Sequence, residues 1–246
     1  MTQSLGVVIP MFNEEAGAES CVDAVLPVLE GLGREARLIA VDDGSSDRTR
    51  EVLEQLAAGS NRLVVEAHER NSGYGAALRT GAEAARRLGL DWLLFMDSDL
   101  TNPPSDVPRF AELIDGPVDY LKGSRFEPGG SMRDVPALRR FLSVAANRVS
   151  RLAAGRGISD PTNGFRAIRT DAFLRLPLAE RGFAIIMEEL VWALRLRLSC
   201  ASVSTVLTSR DENLRPTSFG YTPSLLWRYG RYTLTLAADR IRYGSR

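Results

Sequence analysis

One histidine, two cysteines and one lysine are all that the 246-residue chain has of three chemically informative residue types. His68 has no second histidine to join it, and Cys21 and Cys200 lie far apart with no CxxC spacing, so no zinc constellation can be assembled. Both cysteines and His68 read as structural. No run of 18 apolar residues occurs, which excludes a conventional membrane span. The N-terminus, MTQSLGVVIPMFNEE, lacks the basic head and long apolar core of a signal peptide, so a cytoplasmic protein is expected, free or peripheral at a membrane surface. Net charge is also missing: 31 basic residues balance 31 acidic ones, and no basic excess argues for a nucleic-acid partner. Any phosphate must be bound locally. All the basic residues except Lys122 are arginines, whose planar fork suits phosphate oxygens.

What is present is the composition of an ordinary folded protein, 44% hydrophobic and 25% charged, long enough for one substantial core. Short apolar runs at Leu5–Pro10, Arg37–Val41, Leu63–Glu66 and Trp92–Met96 alternate with helical periodicity at Ala16–Gly33, Asp47–Ala58 and Ala76–Leu88. This alternation predicts a Rossmann-like α/β fold, a mostly parallel sheet flanked by helices, with ligands outside the carboxyl ends of its strands. After Asn102 the pattern changes to proline-rich turns, a helix around Leu138–Leu152, a loop at Asp160–Arg166, a helix around Ile186–Leu198 and a late strand at Val203–Thr208. We therefore expect a single domain over 1–223, with a nucleotide-binding half (1–101) and an acceptor half (102–223), followed by an amphipathic helical extension (224–246). The extension mixes Trp227, Tyr229, Tyr232 and Leu234 with arginines, which suits a membrane interface, packing on the domain, or a second subunit in a homodimer.

Polar clusters follow three of the apolar runs: Asn13-Glu14-Glu15, Asp42-Asp43-Gly44 and Asp97-Ser98-Asp99. Acids gathered at one sheet edge are costly without a cation or hydrogen-bonding ligand. The Asp97-Ser98-Asp99 triplet carries the strongest chemical signal, because carboxylates two residues apart in an extended segment can hold Mg²⁺ or Mn²⁺ against a diphosphate. Asp42 to Asp47 also has the chemistry of a turn and helix cap.

Taken together, VVIPMFNEE (7–15), VDDGSSD (41–47) and MDSDL (96–100) resemble the GT-A glycosyltransferases of family 2. KGSRFEPGG (122–130), PALRRFLSVAANRVSRL (136–152) and DPTNGFRAIR (160–169) resemble its polyprenyl (dolichyl) phosphate mannose and glucose synthase branch. The resemblance implies a GT-A fold and a metal-dependent, inverting transfer of a hexose from a nucleotide-diphosphate sugar, GDP-mannose before a UDP-sugar, to a polyprenyl phosphate. It implies that Pro10, Phe12, Glu14, Asp43 and Gly73 line the donor site together with Asp97, Ser98 and Asp99, and that Asp97 and Asp99 hold the metal. Phe12 stands where tyrosine is commoner, keeping a stacking face without the hydroxyl. Arg125, Arg139 and Ser143 are implied near the phosphate of donor or acceptor, and Arg215 and Ser218 in a segment closing over the pyrophosphate, where Phe219 replaces a lysine. Asp99, Glu188, Arg125 and Arg215 are the expected catalytic group.

Glu188 and Glu189 begin a helix where related enzymes carry a general base. A neutral alcohol on a saccharide would need that base, whereas a phosphate acceptor is already anionic and would leave Glu188 to orient the sugar or cap the helix. For Arg166, holding the Asp160–Arg166 loop through a carboxylate weighs at least as much as touching substrate. A non-catalytic nucleotide-sugar-binding module is the rival from another class.

Overall fold

The computed structural model describes residues 2–133, 137–155, 157–208 and 222–243, with the backbone alone for 137–142 and 243. Its first half is β1 (Leu5–Met11), α1 (Ala18–Glu30), β2 (Ala36–Asp42), α2 (Thr49–Ala58), β3 (Leu63–Ala67), α3 (Tyr74–Arg87) and β4 (Trp92–Phe95). Then come a 3₁₀ turn at Pro104–Asp106, α4 (Val107–Leu113), β5 (Tyr120–Ser124), β6 (Ser131–Met132), α5 (Ala137–Ala154), β7 (Arg166–Arg169), α6 (Thr170–Arg175), α7 (Ile185–Arg195), β8 (Cys200–Ser204), β9 (Val206–Leu207) and α8 (Pro223–Tyr243).

β1, β2 and β4 are mostly apolar and buried on both faces, as a parallel sheet covered by helices on each side requires, whereas β3 at the sheet edge is only partly buried. The sheet runs β3-β2-β1-β4-β7-β5-β8, and β7 lies antiparallel between β4 and β5. Alternate residues feed two cores. Val8, Ile39, Phe95, Tyr120 and Ile168 pack with α3, α6 and α7, while Val7, Leu38, Leu94, Leu121 and Ala167 pack with α1 and α4. Gly81 lets α3 press onto β1: a Cβ there would stand 2.3 Å from Val8 Cγ1.

Strand register decides what meets at the carboxyl edge. Met11 pairs with Asp42 and Val8 with Phe95, so the turns after β1, β2 and β4 emerge together. Because Phe95 also pairs with the first residue of β7, Arg166, the loop before β7 arrives beside Asp97.

Two expectations are corrected. The predicted late strand is two strands: Thr205 breaks it, turning its hydroxyl to Asp106 Oδ2 (2.7 Å) before β9 pairs with β6. The acceptor half also contributes β5 and β7 to the sheet, both unpredicted because charged Lys122 and Arg166 sit in them, fully buried. The extension forms α8, which packs on α5 and α7. No helix among the described residues is long and apolar enough to cross a membrane.

Candidate active site

The turns after β1 and β2 are laced together. Asn13 takes a left-handed conformation (φ 54°), which lets its N–H donate to Ser45 Oγ (2.9 Å) while its Oδ1 accepts from the Ser46 N–H (2.8 Å). The Glu14 N–H donates to Thr49 Oγ1 (2.7 Å), and Asp47 Oδ2 accepts from the Glu15 N–H (3.1 Å). Asp42 accepts from the N–H and hydroxyl of Ser45. Asp43 is buried, with Oδ1 accepting from the Ser72 N–H (2.8 Å) and 2.7 Å from His68 Nδ1, and Oδ2 accepting from the Gly73 N–H (2.8 Å). Nucleotide contact had been expected of Asp43. Its observed contacts fix the Asn71–Gly73 loop, while His68 bridges it to Thr80 Oγ1 (2.8 Å) in the structural role foreseen.

Of the acids gathered at this edge, for which a cation or hydrogen-bonding partners are expected, Asp42 and Asp43 receive hydrogen bonds from the chain's own amides and hydroxyls. Phe12 and Pro10 end β1 at this edge, Phe12 with its ring exposed and Pro10 half-buried.

Asp97, Ser98 and Asp99 follow β4, all half-buried. Asp97 Oδ1 accepts from the Tyr74 hydroxyl (3.1 Å), and Asp99 Oδ1 from the Thr101 N–H (3.1 Å) and hydroxyl (2.9 Å). Burial, and then the charge of Asp99, push the Asp97 carboxyl up to about 6, against the pull of the Tyr74 bond and Arg166. Glu14 and Asp99 both raise the Cys21 thiol, after its burial, so these two acids flank the same side of the sheet edge. An oxygen-only pair whose charges oppose each other fits Mg²⁺ or Mn²⁺, which complete their shells with water and substrate phosphate. The loop before β7 passes close by, since a Cβ on Gly164 would be in van der Waals contact with Asp97 Oδ2 at 3.4 Å.

On the acceptor side the charges are paired. Arg125 closes its fork on buried Asp160, with Nε to Oδ2 at 2.6 Å and Nη2 to Oδ1 at 2.9 Å, and its Nη1 donates to Ser143 Oγ (2.8 Å). The structure thus bonds Arg125 directly to Ser143, while the Asp160 carboxylate occupies the fork expected to meet phosphate. Arg166 makes a doubly hydrogen-bonded pair with Glu189 (2.7 Å and 2.7 Å), both side chains fully buried, and its Nη1 donates to the Gly164 carbonyl (2.7 Å). Both carboxylate oxygens of Glu189 are thereby taken up by Arg166. Glu188 accepts from the N–H groups of Ala179 (3.0 Å) and Glu180 (2.8 Å), so its carboxylate is engaged by the 179–180 backbone. The side chain of Arg139, and all of Arg215 and Ser218, lie outside the described residues.

Three contributors went unread in the sequence: Tyr74, which touches Asp97; Phe183, stacked on Tyr74 (centroids 4.4 Å apart); and Asp160, which anchors Arg125. Tyr74 follows Gly73, and Asp160 opens the DPTNGFRAIR segment, but nothing in the sequence there says which side chain faces inward.

A family model described as "Glycosyl transferase family 2" matches residues 6–176, well over half the chain, including the turns after β1, β2 and β4 and the loop before β7. The chain belongs to this family. This glycosyltransferase is 30% identical over 250 residues to the polyprenol monophosphomannose synthase of Mycolicibacterium smegmatis, covering 98% of this chain and 91% of that protein. It is 33% identical over 189 residues to the dolichol-phosphate mannosyltransferase of Pyrococcus furiosus, covering 76% of this chain and 52% of the relative. Among solved structures, glucosyl-3-phosphoglycerate synthase from Mycobacterium tuberculosis, crystallised with Mn²⁺, UDP-glucose and phosphoglyceric acid, superposes with a TM-score of 0.63 at 25% identity, covering 96% of this chain and 79% of that one. The fold is the GT-A fold expected from sequence.

Proposed function

We propose that this glycosyltransferase moves mannose from GDP-mannose to a polyprenyl phosphate with inversion, using Mg²⁺ or Mn²⁺ held by Asp97 and Asp99. The observation that carries the acceptor assignment is the engagement of both candidate bases: Glu188 by backbone amides and Glu189 by Arg166. A site without a positioned base suits an acceptor oxygen that is anionic at neutral pH, as a phosphate monoester is. The alignment with the polyprenol monophosphomannose synthase over nearly the whole of both chains supports the same acceptor and sugar. The Mn²⁺ in the tuberculosis synthase complex supports the metal.

In this reading Phe12 offers its exposed ring to the base, and Pro10 and Glu14 line the same pocket. Asp43 holds the Gly73 loop at the start of α3, and Ser98 sits between the metal ligands. The cation supplies charge neutralisation for the departing diphosphate. Arg125, fixed by Asp160 and bonded to Ser143, serves the acceptor phosphate, and Arg139, Arg215 and Ser218 keep the phosphate-binding roles expected from the sequence. The lipid reaches the site from a membrane surface met by the outer face of α8, where Trp227, Leu234 and Ile241 are exposed at seven-residue spacing.

The test is an extraction assay. Purified enzyme with Mn²⁺ is given labelled GDP-mannose or UDP-glucose and either a polyprenyl phosphate or a soluble saccharide. Label passing to the organic phase from GDP-mannose alone is the expected result. Transfer only to the saccharide would overturn the lipid-phosphate assignment.

A further inference from the structure

α8 reaches the metal-binding edge without touching it. One face of this helix presents Arg228, Arg231 and Tyr232 to a single buried carboxylate, Glu180. Arg228 bonds to Oε2, while Arg231 Nη2 and the Tyr232 hydroxyl donate to Oε1, each at 3.0 Å. Tyr229, between them in sequence, donates its hydroxyl to the Phe183 carbonyl (3.3 Å). The segment gripped in this way, residues 179–183, has no regular secondary structure; its amides at 179 and 180 go to Glu188, and two of its carbonyls are met by residues of α3. The Gly75 N–H donates to the Arg181 carbonyl (2.6 Å) and Arg79 Nη1 to the Glu180 carbonyl (3.2 Å). The approach is close enough to require glycine. A Cβ on Gly73, where φ is +95°, would stand 2.5 Å from Arg181 O, and one on Gly75 2.4 Å from Glu180 O. From here the contact continues through side chains: Phe183 stacks on Tyr74, and the Tyr74 hydroxyl donates to Asp97 Oδ1.

We propose that α8 is a strap that sets the orientation of Asp97, with Glu180, Phe183 and Tyr74 as the positioning residues between them. A carboxylate at a half-buried sheet edge, repelled by Asp99, keeps one orientation only if a donor holds it there, and Tyr74 is that donor. Tyr74 is in turn held by Phe183, and Phe183 by the grip of α8 on segment 179–183. The outer face of α8 carries the exposed Trp227, Leu234 and Ile241, so whatever engages that face acts on the same helix that secures the metal ligand. The inference rests on reading Asp97 as a metal ligand, and it extends that reading from the site to its control.

The test pairs Arg228→Ala/Arg231→Ala with Tyr74→Phe in the full-length chain. Hydrogen–deuterium exchange reads the relay without reference to activity. Releasing the strap is expected to raise exchange at least about tenfold in 179–183 and also at residues 74–76, with β1 and β2 unchanged. Calorimetric titration of GDP and UDP across Mn²⁺ concentrations then reads the consequence. Both the arginine pair and Tyr74→Phe should raise the Mn²⁺ needed for half-maximal nucleotide binding several-fold, and their combination should add little beyond either. Exchange that rises in 179–183 but not at 74–76, or Mn²⁺ effects that multiply in full, would overturn the strap. Tyr74→Phe removes one hydroxyl and preserves the ring stack, so it keeps the test open even where the arginine pair impairs folding. Wild-type protein that binds neither nucleotide with Mn²⁺ would instead remove the donor-site reading, and the exchange result still decides the relay.

Discussion

The two flanks of the carboxyl edge neutralise their acids by different means. On the β1–β2 flank, Asp42, Asp43 and Asp47 are met by backbone amides, hydroxyls and His68, all supplied by turns. On the β7–β5 flank, Asp160 and Glu189 are met by the buried guanidinium groups of Arg125 and Arg166. Amide and hydroxyl dipoles hold a turn in shape at little desolvation cost, whereas a buried ion pair is strongly directional and leaves an uncompensated charge if one member is lost. Asp97 and Asp99 fall between the flanks. The bonds that reach them from Tyr74 and Thr101 leave the Asp97 carboxyl raised, which marks this pair as the place where added positive charge is stabilising.

The largest expected effect tests that middle position. Asp97→Ala and Asp99→Ala should each lower turnover at least about a hundredfold while leaving the melting temperature nearly unchanged or higher. Normal activity in both would end the metal assignment. Next comes the ion-pair flank. Glu189→Ala strands the Arg166 charge in the core and should cost about 3–5 kcal/mol in denaturant unfolding. A cost under about 1 kcal/mol would mean that the two flanks are not different in kind.

A smaller effect, of opposite sign, is expected at Lys122. Its ammonium is fully buried, with no hydrogen-bond partner among the described residues, and burial followed by the neighbouring Arg166 charge lowers its pKa to about 7. The folded pKa lies below the unfolded one, so between pH 7 and about 10 the unfolded chain binds the extra proton and stability rises with pH. Lys122→Met should therefore stabilise the protein near neutral pH by about 1–4 kcal/mol, the gain shrinking as pH rises toward 10. A constant difference across that range would separate the effect from protonation.

The same contrast explains what could be read from the sequence. The first four strands were legible because each is a short, mainly apolar run, buried on both faces in β1, β2 and β4, and the acidic turns after those three fell where the strand ends put them. β5 and β7 were not, because a short strand with a buried lysine or arginine breaks the apolar run that identifies a strand. Which acids lack sufficient partners was equally hidden. Asp43 is answered by residues 25 to 30 positions away, and Asp97 by a tyrosine 23 away. Glu188 and Glu189 were treated as interchangeable in sequence, yet neighbours on a helix point about 100° apart. One turns to the backbone of 179–180 and the other into the sheet.

The antiparallel insertion of β7 between β4 and β5 also bears on how the chain is made. Until residue 169 has been synthesised, β4 has only β1 beside it, and its other side is a bare row of amides and carbonyls on Trp92–Phe95. Such an edge, short and wholly apolar, is a template for pairing with another nascent chain. Strands from before and after residue 101 thus share one sheet, and a fragment ending near residue 101 should be aggregation-prone.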